Sequence, residues 1–410
     1  MTVPVAFYAP LKSPDHPVPS GDRAMARLLM RALERAGFRP QLASGLRTYD
    51  ARGDAHPHLA EAAEAEADRF LASGAPPRLW FTYHLHYKAP DWIGPRVARA
   101  LGIPYVVAEG SRAPRRATGP HAFGHAAAEA ALDRADAILC LTARDRVALE
   151  AARPPGQRLV DLPPFLDLDA WPRAAVPARS GPPRLVAVGM MRVGDKLASY
   201  RGIAEALARV SHDFRLTLVG DGPARGTVEA LFAPFGGRVA LAGLVEDRAR
   251  LAALLAGSDL LVWPAVNEAY GMALLEAQAQ GCPVVAGGYG GVPDVVRGGI
   301  VTPPGDVAAF AAAVEGLLAD APRRAALARA AEAFARGQRG LDGAAECLRA
   351  VLTEVLTRDL IDNPPSFRGS RSENPESTTG TNPAVRTPPS PHAASRPVVD
   401  SGFSLTRAPE

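Results

Sequence analysis

Apolar and polar positions along the chain follow two alternating rhythms. VPVAFYA (3–9), RLWFTYHLH (78–86), PYVVAEG (104–110) and RADAILCLT (134–142) are short apolar runs. Alanine-rich stretches lie between them, one reading as a helix from about Asp22 to Ala36. Apolar runs of this kind predict buried strands, and their alternation with helices predicts a parallel sheet covered on both faces. The rhythm then stops. DLPPFLDLDAWPRAAVPARSGPP (161–183) is Pro-rich and has no helical period, so it reads as a linker. Beyond it the pattern restarts with strands at RLVAVGMM (184–191), RLTLVGDG (215–222), VALAGLV (239–245), DLLVWP (259–264) and PVVAG (283–287). A helix at YRGIAEALARV (200–210) falls between the first two, and helices from Val307 to about Leu360 close the folded part.

The expected organisation is two Rossmann-like, doubly wound α/β domains facing a cleft. The first spans 1–165, a linker 166–183, the second 184–340, and a closing helix 341–361. Residues 362–410 are rich in Pro, Ser, Thr and Arg and poor in apolar residues, which predicts disorder. Open parallel sheets bind ligands beyond the carboxyl ends of their strands. Two such ends facing one another suit a reaction between two substrates.

Composition narrows the class. A net charge of +3 on 410 residues argues against nucleic acid as a partner, and 47% hydrophobic residues are ample for two cores. Three widely spaced cysteines, Cys140, Cys282 and Cys347, offer neither a zinc spacing nor a disulfide framework. The N-terminus lacks the pattern of a signal peptide, and no apolar run reaches the roughly 18 residues of a membrane span. A cytoplasmic location is expected.

The segment NEAYGMALLEAQAQGCPVV (267–285) carries the chemistry. Trp263 and Pro264 end a strand, and a helix is expected to start near Tyr270 or Gly271. A helix start offers free N–H groups and a positive dipole end to phosphate, and Gly271 lets a ligand approach the backbone. Glu268 precedes that anion site. Glu276 lies roughly 7–8 Å further along the helix at its rise per residue. A nucleotide sugar has this layout, with a hexose on one side of a diphosphate and a ribose on the other. Carboxylates accept well from sugar hydroxyls.

This segment resembles the E-x7-E motif of retaining glycosyltransferases of family GT4, which have the GT-B fold. VGMMRVGDK (188–196) is similar to that family's phosphate loop, LVGDGP (218–223) to its next strand and turn, and LAGLV (241–245) to the strand whose end meets the base. GGVPDVV (290–296) and GIVTPPGD (299–306) agree as well. The resemblance is strong over roughly 184–335 and weaker over 1–160. It implies transfer from a UDP- or GDP-sugar, UDP slightly favoured, without cofactor or metal. The acceptor would be a glycan, a lipid-linked molecule or a small molecule. It further implies that a leaving phosphate oxygen takes the acceptor proton, so no separate base is needed. Catalytic roles fall to Glu268, Arg192 and Lys196. Donor contacts fall to Gly189, Gly220, Asp221, Leu244, Tyr270, Gly271, Met272, Ala273 and Glu276, and the acceptor side to Ser20, Gly21, His84 and Glu109. The alternative is a catalytically silent GT-B protein that binds a nucleotide sugar or a partner.

The chain departs from the family in two places. The loop arginine is displaced by Met190 and Met191 to Arg192. The strand that usually ends in a histidine ends in Glu109-Gly110-Ser111, leaving His84 and His86 as nearby candidates. Other signals are discounted. GDGPARG is one residue off a dinucleotide fingerprint, DLD (167–169) lies in the linker rather than after a buried strand, and the glutamates lack the setting of a glycosidase pair. Ser20, Gly21 and Asp22 also read as an ordinary helix cap. Arg23, Arg27, Arg31 and Arg35 recur every four residues along one helix face, with Arg112, Arg115 and Arg116 in the same domain. That face suits an anionic membrane surface, giving peripheral contact, or a phosphorylated acceptor.

Overall fold

The computed structural model describes residues 2–74, 76–175 and 180–362. The first sheet holds β1 (Val3–Tyr8), β2 (Phe38–Ser44), β3 (Leu79–Leu85), β4 (Tyr105–Gly110), β5 (Ala137–Cys140) and β6 (Arg158–Asp161) in the order β2-β1-β3-β4-β5-β6. All its pairings are parallel. Helices α1 (Gly21–Arg35), α2 (His56–Ala72), α3 (Gly94–Leu101), α4 (Ala122–Arg134) and α5 (Ala143–Ala151) cover it. Each element of β3 but His84 is buried, as expected of a strand covered on both faces. β2 and β6 were not expected from the pattern of apolar runs. Pro40 sits within β2, and it is tolerated because β2 is an edge strand. β6 is a four-residue edge strand with charged ends.

The second sheet holds β7 (Arg184–Val188), β8 (Arg215–Val219), β9 (Val239–Gly243), β10 (Leu260–Trp263), β11 (Val284–Gly287) and β12 (Gly299–Thr302), ordered β12-β11-β10-β7-β8-β9. Its helices are α6 (Asp195–Leu207), α7 (Arg225–Phe232), α8 (Arg248–Ala256), α9 (Met272–Ala279), α10 (Val292–Val295), α11 (Val307–Ala319) and α12 (Ala321–Gln338). The chain winds outward from β7 to β9, then from β10 to β12. The crevice where the winding reverses therefore lies beyond the ends of β7 and β10. These are the strands that lead into the Gly189 loop and the Glu268 loop.

The linker is packed rather than loose. Leu162, Phe165, Leu166 and Trp171 join a buried cluster that runs through both halves. Asp167, buried, pairs with Arg31, which gives the DLD stretch a structural role. Gln280 holds the linker at both Pro172 O and Ala174 N, each at 3.1 Å. Helix α13 (Leu341–Asp362) then returns to the first half and packs on α1. Arg349 donates to Ala36 O and Arg35 O at 3.1 Å each. The tail expected to be disordered lies, from residue 363 on, outside the described residues. Among those residues no helix is long and apolar enough to cross a membrane.

Candidate active site

A cavity of about 500 Å³ opens where the two sheet ends face each other. Its second-half wall is built on backbone that few residues can adopt. Gly220 has φ +143°, and a Cβ there would stand 1.9 Å from Gly189 O. Only glycine lets the β7 and β8 loops approach so closely. Tyr200, buried, donates to the same Gly189 carbonyl at 2.6 Å. The loop between β10 and α9 contains three left-handed residues, Ala265 (φ 56°), Asn267 (φ 54°) and Gly271 (φ 75°). Two of them are not glycine, a strain that persists only where surroundings enforce it. Here Ser199 Oγ accepts from Val266 N at 3.0 Å, and Asn267 Nδ2 donates to Asp195 Oδ2 at 3.2 Å. The reversal at Gly271 starts α9 with no side-chain cap. The first N–H groups of the helix therefore have no side-chain cap, and Gly271, Met272 and Ala273 line the cavity.

Lys196, in the first turn of α6, points across to this loop. Its Nζ lies 2.5 Å from Glu268 Oε2 and 5.3 Å from the ring centre of Trp263. Trp263 Nε1 donates to the same Glu268 oxygen at 3.2 Å. One carboxylate oxygen is thus doubly held, and Oε1 has no partner among the described residues. The sequence suggested Lys196 and Glu268 separately; 72 positions apart, nothing in the spacing shows that they form an ion pair. Glu276, one face further along α9, is half-buried on the cavity wall with no hydrogen-bond partner among the described residues. Burial raises its pKa to about 7, only partly offset by Arg248. Leu244 is 55% exposed on the same wall.

Of the residues expected to contact a donor, Asp221 alone does not line the cavity. Its carboxylate accepts from Gly222 N at 2.7 Å and from Arg225 Nη1 at 3.0 Å. The turn directs it away from the cavity, which it does not line. Arg192 does line it, and its Nη2 reaches Pro19 O in the opposite wall at 3.4 Å. Met191, fully buried, anchors the loop by accepting from Ala224 N at 2.8 Å.

In the first-half wall, Ser20 caps α1 by accepting from Arg23 N at 3.2 Å, so Ser20, Gly21 and Asp22 reach the cavity. His84 and Glu109 do not line it. They sit behind Asp22 and Tyr270, and both are left-handed, at φ 62° and 59°. His84 Nδ1 is 3.1 Å from Asp22 Oδ1, and Nε2 is 3.7 Å from Glu109 Oε1. Burial opposes a charged His84, but Glu109 and Asp22 outweigh it and lift its pKa to about 9. Glu109 is raised to about 7, by burial first, with His84 acting against it. Tyr270 donates to Glu109 Oε2 at 3.3 Å, and its hydroxyl lies 3.2 Å from that of Tyr83. These buried groups tie the residue before the α9 start to the first sheet. The contact joins positions 187 and 161 apart in sequence, with no local signature. At neighbouring His86, burial together with the His84 charge lowers the pKa to about 3.

The arginine face of α1 is occupied from within. Arg23 and Arg27 bind carbonyls of the loop before the helix, Arg31 binds Asp167 and Arg35 binds Asp342. Arg112 is buried between Glu129 and Asp133 and is not part of a basic surface.

Two parallel-sheet domains with a cavity between their strand ends define the GT-B architecture. Residues 182–320 match the family model described as glycosyl transferases group 1. The chain is 31% identical over 297 residues to 2-deoxystreptamine glucosyltransferase of Streptomyces kanamyceticus, covering 65% of this chain and 74% of the relative. It is 34% identical over 217 residues to D-inositol 3-phosphate glycosyltransferase of Xylanimonas cellulosilytica, covering 50% and 51%. Among solved structures, Anabaena HepE in complex with UDP and glucose superposes with a TM-score of 0.62 at 16% identity, over 85% of this chain and 99% of the other. The chain belongs to the group 1 glycosyl transferases, and it is a glycosyltransferase that uses a nucleotide-sugar donor.

Proposed function

We propose that the protein transfers a hexose from a nucleotide-diphosphate sugar to a hydroxyl with retention of configuration and without a metal. The observation that carries this is the convergence, on one cavity, of an uncapped helix start, two cations and two separated carboxylates. The diphosphate would lie against the N–H groups at 271–273, with Lys196 and Arg192 neutralising it. As the bond to the anomeric carbon lengthens, negative charge grows on the leaving phosphate, and fixed cations stabilise it most at that point. Glu268 Oε1 would accept from a hexose hydroxyl, and Glu276 from the ribose. Leu244 would pack on the base. The acceptor hydroxyl attacks from the side the diphosphate leaves, and a phosphate oxygen takes its proton. No cofactor is required by this scheme.

UDP is favoured over GDP, a preference supported by the fold shared with HepE, whose structure holds UDP and glucose. The relatives suggest a cyclitol-like acceptor, aminated in one and phosphorylated in the other. Contact with an anionic membrane would use the α1 arginines, all four of which already have partners within the chain. The test is hydrolysis or transfer from UDP- and GDP-hexoses, followed by NMR of the first-formed anomer, with and without chelator. Turnover that keeps the donor's configuration and ignores chelator is expected. Inversion would overturn the leaving-phosphate scheme, and binding without turnover would identify a silent GT-B protein.

A further inference from the structure

The carboxyl ends of β1 and β2 lead into two loops that meet at the first-half wall of the cleft. Basic side chains meet there: Lys12, Arg23, Arg27 and Arg47, joined by Arg192 of the donor wall. The loop from Leu11 to Pro19 is held largely by guanidiniums on its carbonyl oxygens. Arg47 Nε donates to Leu11 O at 2.9 Å, Arg27 Nε to Pro14 O at 2.7 Å, Arg23 Nη1 to His16 O at 2.8 Å, and Arg192 Nη2 to Pro19 O at 3.4 Å. Carbonyls satisfy N–H groups but cancel no charge. Among the described residues none of these arginines has a carboxylate within the 4.0 Å of an ion pair.

Lys12 stands in the same loop, half-buried and without a hydrogen-bond partner among the described residues. Burial lowers its pKa first, and Arg192, Arg47 and Arg23 lower it further. Asp22 is the carboxylate acting the other way, and it is already bonded to His84. A half-buried ammonium in a loop whose carbonyls hold four guanidiniums is costly, because like charges disfavour the charged form. A bound anion would remove that cost. Phosphate fits best, since its oxygens accept from an ammonium and a guanidinium fork together. Arg192 and Asp22 also line the donor cavity, so an anion held here would stand beside the transferred sugar.

We propose that Lys12, with Arg47, Arg23 and Arg192 around it, holds the phosphate of a small phosphorylated acceptor. The inference rests on the glycosyl-transfer reading and chooses an anionic polyol over an aminocyclitol. Among the described residues the Lys12 side chain makes no hydrogen bond, so Lys12→Gln leaves the loop's own contacts in place. Calorimetric titration of the full chain with inorganic phosphate is the test, using Lys196→Ala to weaken binding at the donor wall. In Lys196→Ala the remaining phosphate affinity should fall at least tenfold when Lys12→Gln is added, and Arg47→Gln should weaken it less. Superimposable isotherms with and without Lys12→Gln would overturn the proposal. So would tight binding of 2-deoxystreptamine with none of phosphate. Lys12-dependent binding to anionic vesicles without binding of free phosphate would replace the small acceptor by a lipid headgroup. Donor hydrolysis by the wild type separates the two readings. If it persists while the Lys12 effect is absent, only the anionic acceptor falls. If it is absent, the glycosyl-transfer reading itself falls.

Discussion

The two walls of the cleft are built on different principles. The second-half wall is made of short loops whose backbone is fixed by glycines and by nearby strands, and its functional atoms include main-chain N–H groups. The first-half wall is made of longer loops held by side chains, with arginines on the Leu11–Pro19 carbonyls and the Asp22–His84–Glu109 chain behind them. A wall that positions backbone suits a diphosphate common to many donors. A wall that depends on side chains can be changed for a new acceptor without disturbing the first.

The comparison is tested most severely at Lys196. If its charge is needed mainly as the diphosphate departs, Lys196→Ala should lower kcat by ~10²–10³-fold while donor affinity falls less. Lys196→Arg should recover only part, since a guanidinium is planar and longer. Single-turnover kinetics at saturating donor would measure it, and a near wild-type rate would remove Lys196 from the donor wall. Next, Gly220→Ala should cost about 3 kcal/mol of stability, from the φ penalty and the clash with Gly189 O together. Denaturant unfolding gives the value, and a cost below about 1 kcal/mol would mean that the β7 and β8 loops are not pinned by close approach.

Glu276→Ala should weaken nucleotide binding by about 1.5–3 kcal/mol, the worth of a hydrogen bond to a charged group. Its pH dependence sharpens the point. The pKa is raised from 4.5 to about 7, so the folded state favours the neutral carboxyl. The stability this contributes is fully present below pH 4.5 and is lost as pH rises through about 7. Nucleotide affinity should move the opposite way, strengthening between pH 6 and 8 as the carboxylate forms. Glu276→Gln should flatten that rise, and an unchanged profile would take the ribose role away. The smallest effect belongs to the first-half wall. Changing Arg23, Arg27, Arg31 and Arg35 to Gln should leave donor affinity within about twofold. Co-sedimentation with anionic vesicles should find little binding even in the wild type, and strong low-salt binding lost in the variant would restore the membrane contact.

The donor wall was the more legible in the sequence for the same reason. Gly189, Gly220 and Gly271 announce backbone geometry locally, and the strands before them are continuous apolar runs. Glu268 and Glu276 follow at a spacing a helix converts directly into distance. Asp221 shows the limit, because its turn aims the carboxylate at Arg225, which the motif alone does not reveal. The first-half wall offered fewer signs. Nothing near His84 or Glu109 foretells a left-handed backbone, which distant contacts impose. The Tyr83–Tyr270–Glu109 cluster exists only after both sheets have formed. β2 and β6 leave little signal in the sequence because edge strands tolerate proline and charge.

The return of α13 to the first half has a consequence for motion. The chain crosses between the halves twice, and the crossings are stitched to one another, with Leu166 N donating to Arg339 O at 2.8 Å and Leu166 bridging Gly340. Two tethers joined at one point act as a pivot. A swing about it would be greatest at the rim and would have to part Tyr270 from Tyr83 and Glu109, and Arg192 from Pro19. Admitting a donor and releasing a product then become one angular coordinate. A graft that moved the first half to another partner would have to cut at both crossings and carry α13 along.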